Sequence, residues 1–421
     1  MTDVLLVLGG WLAVAVLAAG DRRLAGTWVT PFTVFAVPMQ VVLTLTVIVA
    51  PALGFLTPVP AALAVLLAGP IVFWCGEAPV LAHAGVPRGG GDEPWTGEDE
   101  SRRAVFVVSW VLIAIMALAF WRALRGIGTI GEIVQVDFQE RFQEGASGFA
   151  RPVAMLLVVY WIGATRRWTR REVLTLAALL ALLLASFVKG TVLLPLAGGL
   201  LYRAVAGRMR LTVGRVAAVA AGGFGLVFGV YLAQTVVWGL AGLAAPDFGA
   251  VLGRRVIAYL FSGILGFSGT WQGGILPGAM DWSILVSPAW NLLAHLGGFE
   301  RVANVPAEYL LVDLRSASTL GTSNVRTLFG TLWTFAGPLG AVVGMLGLGL
   351  GLGVLFAAAR RSRNAWLLVV SSFLGAALMF GWFEYYFWHA FWYITVPLGL
   401  LAAAAVRLRS PATLVEGVAH Q

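Results

Sequence analysis

The residues of this sequence with the most chemistry in them are cations placed beside apolar runs. Lys189 is the single lysine among 28 Lys and Arg residues, and it sits at the tip of a tight turn, Ser186-Phe187-Val188-Lys189-Gly190-Thr191. A cation between two apolar runs either snorkels to headgroup level or faces a cavity that takes a phosphate-bearing ligand. Arg254 and Arg255 are adjacent at the start of another apolar run, Val251 to Phe267. They either hold lipid headgroups or chelate a pyrophosphate through forked hydrogen bonds that lysine does not offer. Arg141 lies in the amphipathic stretch Asp137-Phe138-Gln139-Glu140-Arg141-Phe142-Gln143-Glu144, whose charges either pair along a helix or serve a site. His389 ends the run Glu384-Tyr385-Tyr386-Phe387-Trp388-His389. Beside a carboxylate its imidazole can accept a hydroxyl proton; the plainer reading is an aromatic belt with one polar anchor.

The elements that must carry these groups are membrane spans. Of 421 residues, 59% are apolar and 11% charged, against about 25% charged in a soluble domain. The apolar residues fall in runs long enough to cross a hydrocarbon core of about 30 Å. The runs predict spans at 4–20, 29–50, 58–82, 104–123, 152–165, 173–188, 191–206, 216–243, 332–357, 365–383 and 390–406. Arg-rich connections alternate with Arg-poor ones: Arg22 and Arg23, Arg102 and Arg103, Arg166 to Arg171, Arg203 to Arg215, Arg360 to Arg363, and Arg407 with Arg409 share one side. By the positive-inside tendency that side is the inside. The fold class expected is therefore all-α, a polytopic membrane protein with about eleven transmembrane helices, N-terminus outside and C-terminus inside. The chain reads as one integral membrane domain, 1–421, with a large outer loop at 245–331 between spans 8 and 9. Val251 to Phe267 is read as a helix lying in or dipping into the outer face. The inner stretch Gly85 to Arg103, with its acidic run Glu98-Asp99-Glu100, reads as a flexible solvated loop.

The charge of +8 is carried in short clusters between spans, so it argues for membrane topology and against nucleic acid. One cysteine, Cys75, excludes an intrachain disulfide. There is no Walker A loop, no HExxH and no paired Asp-x-Asp for metal-dependent sugar-nucleotide transfer. Glu77, near the inner end of span 3, is the only intraspan acid, where an ion-coupled transporter usually needs several. On the outer side the cations needing a reason include Arg122, Arg125, Arg151, Arg301, Arg315 and Arg326, besides those above. Trp271, Trp282 and Trp290 suit the headgroup–water interface. His295 receives no role.

Gly321 to Gly340 reads GTSNVRTLFGTLWTFAGPLG. It resembles the signature region of the Wzy-type O-antigen polymerases, the oligosaccharide repeat unit polymerases. Their Thr/Ser-Asn-Val-x-Thr run, Phe-Gly and Phe-Gly-x-x-Gly are matched by Ser323, Asn324, Val325, Thr327, Phe329, Gly330, Phe335, Gly337 and Gly340. Thr334 stands where many relatives have an acid, and Phe335-Ala336-Gly337 where they have Phe-Gly. The hairpin at Ser186, Lys189 and Gly190 resembles the family's Ser-Gly-x-Arg-Gly tip, with Lys for Arg. The resemblance implies a metal-independent membrane glycosyltransferase, with no cofactor, in a bacterial cytoplasmic membrane. It would polymerise oligosaccharide repeat units carried on undecaprenyl pyrophosphate at the outer face. The implied partners are that lipid-linked oligosaccharide, membrane lipids, and a flippase and chain-length regulator of the same pathway. On that reading Arg141, Lys189, Arg254, Arg255, Asn324 and Arg326 bind pyrophosphate or glycan. Asp137, Glu140 and His389 are the candidates for a catalytic base. Other readings are an O-antigen ligase-like glycan transferase, a transporter or flippase of lipid-linked sugars, and a non-catalytic scaffold of envelope assembly.

Overall fold

Glycine and proline punctuate this chain, and many of its helices start, stop or are capped at one. A computed structural model describes residues 2–85, 94–129, 132–133, 136–186, 188–210, 212–240, 248–273, 282–298, 300–302, 312–314 and 322–409. In chain order its longer helices are α1 (Thr2–Ala25), α2 (Pro31–Ile48), α3 (Pro60–Ala84), α4 (Glu98–Arg125), α5 (Val136–Gln143), α6 (Ala146–Ala164) and α7 (Arg170–Leu184). They continue as α8 (Gly190–Val205), α9 (Val213–Leu240), α10 (Phe248–Gln272), α11 (Ser287–Gly297), α12 (Leu328–Ser362), α13 (Ala365–Met379) and α14 (Trp392–Arg409). Extended structure among the described residues is a two-residue antiparallel ladder, β1 (Val312–Asp313) with β2 (Thr322–Ser323).

Pro31 and Pro60 open α2 and α3, where a missing N–H costs nothing. Thr30 and Thr169 form capping boxes at the starts of α2 and α7. α12 is broken at Gly337 (φ 73°), with Pro338 restarting the helix.

Among the described residues seven helices are long and apolar enough to cross a bilayer: α1, α2, α3, α4, α6, the central part of α9, and α12. This is the build of a polytopic membrane protein. Each of the eleven apolar runs falls on a helix. α7 and α8, at 15 and 16 residues, reach only about 24 Å at 1.5 Å per residue. Apolar side chains face outward along the long helices, as a lipid-facing surface requires; Leu12 of α1 is 68% exposed.

Two compact units divide the packing. Unit 1 comprises Met1–Gly89, Val213–Ala357 and Leu374–Ala390; unit 2 comprises Gly90–Thr212, Ala358–Phe373 and Phe391–Gln421. In unit 1, α3 and α12 cross at glycines: a Cβ on Gly76 would lie 2.3 Å from the Leu346 carbonyl, and one on Gly349 2.1 Å from the Phe73 carbonyl. In unit 2, α6 and α8 approach the same way, with Gly163 against Tyr202 and Gly199 against Ile162.

One expectation is corrected in unit 2. Glu98 belongs not to a solvated loop but to the first turn of α4, buried at 3% exposure. Arg208 binds both of its carboxylate oxygens, the Tyr202 hydroxyl donates to Oε1 at 2.7 Å, and the Tyr160 hydroxyl donates to its carbonyl. Trp95 and Thr96 before it are also ordered, with Thr96 bridging to Asn364. An acid that neutralises a buried guanidinium cannot remain in a mobile loop. Residues 86–93 of the expected loop lie outside the described residues.

Two outcomes follow for purified protein. Gly349→Ala should lower the midpoint of thermal unfolding, since overpacking costs about 1–3 kcal/mol, whereas Gly347→Ala, with nothing within 4 Å of the added carbon, should leave it unchanged. Glu98→Gln should cost about 3–5 kcal/mol by leaving the Arg208 charge buried and uncompensated; equal unfolding midpoints for variant and parent would show that the pair contributes nothing.

Candidate functional site

In unit 1 the segment that carries the resemblance is folded onto α10. Glycine makes this possible. A Cβ on Gly266 would stand 2.2 Å from the Val325 carbonyl, and one on Gly263 2.3 Å from the Trp382 carbonyl. Gly330 lies against the Phe267 ring, where an added Cβ would approach to 2.8 Å. Backbone therefore meets backbone along one face of α10. The Ser323 hydroxyl donates to the Ser262 carbonyl at 3.2 Å and accepts from the Val325 N–H at 3.1 Å. Thr327 accepts from the Gly330 N–H at 3.0 Å and so starts the helix that follows. The Leu328 N–H donates to the Gly381 carbonyl at 2.6 Å, tying in the 381–389 turn.

Arg326 is enclosed by this clasp at 2% exposure. Its Nε donates to Thr270 Oγ1 of α10 at 2.6 Å. Neither Nη atom has a hydrogen-bond partner among the described residues. Burial pulls the guanidinium down to about 10, which still leaves it cationic at neutral pH. A buried cation with its fork of N–H donors unused is an acceptor site for an anion. Asn324, two residues earlier, is exposed.

The 381–389 turn adds the second chemical group. Glu384 Oε1 lies 3.2 Å from His389 Nε2 and accepts from the Trp388 indole N–H at 3.0 Å. A short 3-10 turn, Tyr386–Trp388, brings the two together across five residues. Trp388 packs edge-on against Phe335 at 6.2 Å between ring centres, so the pair is anchored to the same segment as Arg326. Tyr259 of α10 stacks on Phe383 at 4.1 Å. Burial, then the neighbouring Tyr259 and Glu384, hold the Tyr386 phenol well above its ordinary range, and it stays neutral. The turn is partly open to solvent, with His389 half-buried.

The other expected residues are placed differently. α10 carries Arg254 and Arg255 on its N-terminal half, but their side chains lie outside the described residues, as does Arg315. The helix is 25 residues long, not the shorter stretch expected, and Phe261, Ile264, Leu265 and Phe267 are buried. It is a core element of unit 1.

Asp137, Glu140, Arg141 and Lys189 belong to unit 2. Asp137 and Glu140 are exposed on α5, whose other face buries Phe138 and Phe142 against Ala123 and near Ala185. Arg141 pairs with neither acid; its Nη1 donates to the Gly126 carbonyl at 2.7 Å and closes the chain turn after α4. Lys189 stands half-buried at the start of α8, on a turn braced by Ser186 and Thr191, 3.2 Å apart at their hydroxyls.

Thr270 and Glu384 are the members of the site that sequence reasoning left without a role. Thr270 is 56 residues from Arg326, beyond any local pattern. Glu384 was legible, five residues before His389. The geometry makes Thr270 a support for the guanidinium. Thr270→Val should leave folding intact yet weaken anion binding at Arg326, read as a reduced stabilisation by added inorganic pyrophosphate in a thermal shift; an unchanged pyrophosphate response would remove Thr270 from the site.

No curated protein and no solved structure matches the chain significantly. A family model does: described as a family of unknown function (DUF6337), it matches residues 95–409, the greater part of the sequence, and the chain belongs to that family.

Proposed function

We propose that this chain is a membrane glycosyltransferase that polymerises oligosaccharide repeat units carried on undecaprenyl pyrophosphate. The observation that carries the reading is Arg326: a buried guanidinium with unused donors, inside the very segment that resembles the Wzy-type signature, anchored together with a His–carboxylate pair. A departing diphosphate needs positive charge that is fixed before the reaction, and preorganised donors in a dry site supply it most strongly. His389, oriented by Glu384, is the group suited to take the proton of an acceptor hydroxyl. The glycosidic bond forms at that oxygen while the bond from the sugar to the lipid diphosphate breaks, and the diphosphate leaves toward Arg326. Arg141 and Lys189 of unit 2, and Arg254, Arg255 and Asn324 of unit 1, are kept as contacts to pyrophosphate or glycan, and Asp137 and Glu140 stay the other candidates for the base.

In this reading the chain crosses a bacterial cytoplasmic membrane eleven times, with its N-terminus and site outside and its C-terminus inside. A flippase and a chain-length regulator of the same pathway would work beside it.

Purified protein incubated with lipid-linked repeat units should produce a ladder of polymers. Arg326→Ala should reduce the rate by about 100-fold or more, while Gly347→Ala matches the parent; a full ladder from a folded Arg326→Ala protein would sink the assignment. Topology has its own test, because Lys189 is the one lysine. An impermeant amine reagent applied to intact cells should label the protein, and Lys189→Arg should lose that part of the label. Labelling at Lys189 only after permeabilisation would place the hairpin, and the proposed outer face, on the wrong side.

A further inference from the structure

Glu77 of α3 is fully buried, and neither carboxylate oxygen has a hydrogen-bond partner among the described residues. Its surroundings are set by the glycine crossing described above. A Cβ on Gly353 of α12 would lie 3.4 Å from both Cα and Cγ of Glu77, so the side chain runs beneath that glycine. The backbone N–H of Phe32, in the first turn of α2, faces the carboxyl without reaching hydrogen-bond geometry. From α1 the facing group is a second acid, Asp21, itself fully buried.

Asp21 is well provided with donors. Thr30 donates to Oδ2, and the indole of Trp74, one turn before Glu77 on α3, donates to Oδ1 at 3.0 Å. Thr30 is in turn held by Thr33 through the cap of α2. The flanking Arg22 is directed to the Trp28 ring at 4.7 Å. α2 presents Phe32 and Thr33 to this region and α12 presents Gly349 and Gly353, none of them titratable. The two carboxyls therefore differ in kind: one is solvated by fixed donors, the other has none.

Two adjacent carboxylates cannot both remain ionised in a low-dielectric interior, because each penalises the charge on the other and burial penalises both. The proton belongs on the acid that lacks donors. We propose that Glu77 and Asp21 form a proton-binding site inside unit 1, with one proton on the Glu77 carboxyl and Asp21 ionised against Thr30 and Trp74. It stands whatever reaction unit 1 carries.

Infrared difference spectra of the full-length protein in detergent, taken from about pH 5 to about pH 9, test this directly, since free Glu titrates near 4.3. The carbonyl band of a protonated carboxylic acid should persist above pH 7 and be lost in Glu77→Gln. Asp21→Asn should keep the band but move its loss to lower pH, because the like charge is gone; this variant serves alone if Glu77→Gln does not fold. The proposal is overturned by absence of the band at neutral pH, by its survival in Glu77→Gln, or by an unmoved titration in Asp21→Asn. Displacement of the band by sodium at fixed pH would also overturn it, showing a metal cation in place of the proton.

Discussion

Direct backbone contact between α10 and the stretch from Ser323 to Gly330 is the constraint on which unit 1 is organised around its site. It exists because Gly266 and Gly330 have no side chains to hold the two segments apart. A Cβ at Gly266 would overlap the Val325 carbonyl outright, and such an overlap can be relieved only by moving a helix. The contact does two things at once. It shuts Arg326 away from water, and it delivers Thr270 Oγ1 to Nε. With Nε satisfied by the protein, the two Nη groups are left oriented and unused, which is the condition for a rigid anion acceptor and not for a floppy surface arginine.

Two sorts of charged group stand apart among the described residues, and the distinction separates architecture from chemistry. Glu98 and Arg208 neutralise each other, one guanidinium nitrogen, Nη2, reaching both carboxylate oxygens, and the Tyr202 hydroxyl takes up further acceptor capacity. Arg102, half-buried, pairs with Glu172 through two nitrogens, Nε to Oε1 at 2.5 Å and Nη2 to Oε2 at 2.8 Å. Such pairs have no capacity left for a ligand; they fasten helices. Arg326 and Glu77 are the opposite case, groups of opposite sign that each lack the partner their burial demands among the described residues. An orphan of this kind can be completed from outside the static protein, and its sign says what would fit: an anion for the guanidinium, a proton for the carboxyl.

The helices and the Arg clusters were readable from the sequence because both depend on composition along short windows. Each of the eleven apolar runs became a helix for that reason. What the clusters do was not readable. Arg208 was one of an inner set expected to mark topology, yet it sits at 7% side-chain exposure against Glu98, 110 residues away in sequence. The Glu384–His389 pair was visible because its spacing is local, while Thr270 and Arg326 meet only through the folded path of α10. Arg141 shows the converse error. Asp137 and Glu144, four residues before and three after it, invited an ion pair along the helix, but its Nη1 donates to the Gly126 carbonyl instead.

The departures of Phe335-Ala336-Gly337 from the polymerase pattern have a local physical account. Gly337 adopts φ 73°, a region that disfavours any side chain, and Pro338 follows at once, so the helix ends and restarts at this point. Phe335 and Phe329 thereby belong to a short helix packed in the site's core, and the long apolar helix beyond Pro338 is free to take the direction its own packing on α3 requires. Ala336 fits because Gly340, one turn on, has no Cβ to meet it; an added one there would lie 2.4 Å from the Ala336 methyl. In this chain the segment supplies a bend with room on its inner side, met by Ala-Gly-Pro with a glycine one turn later.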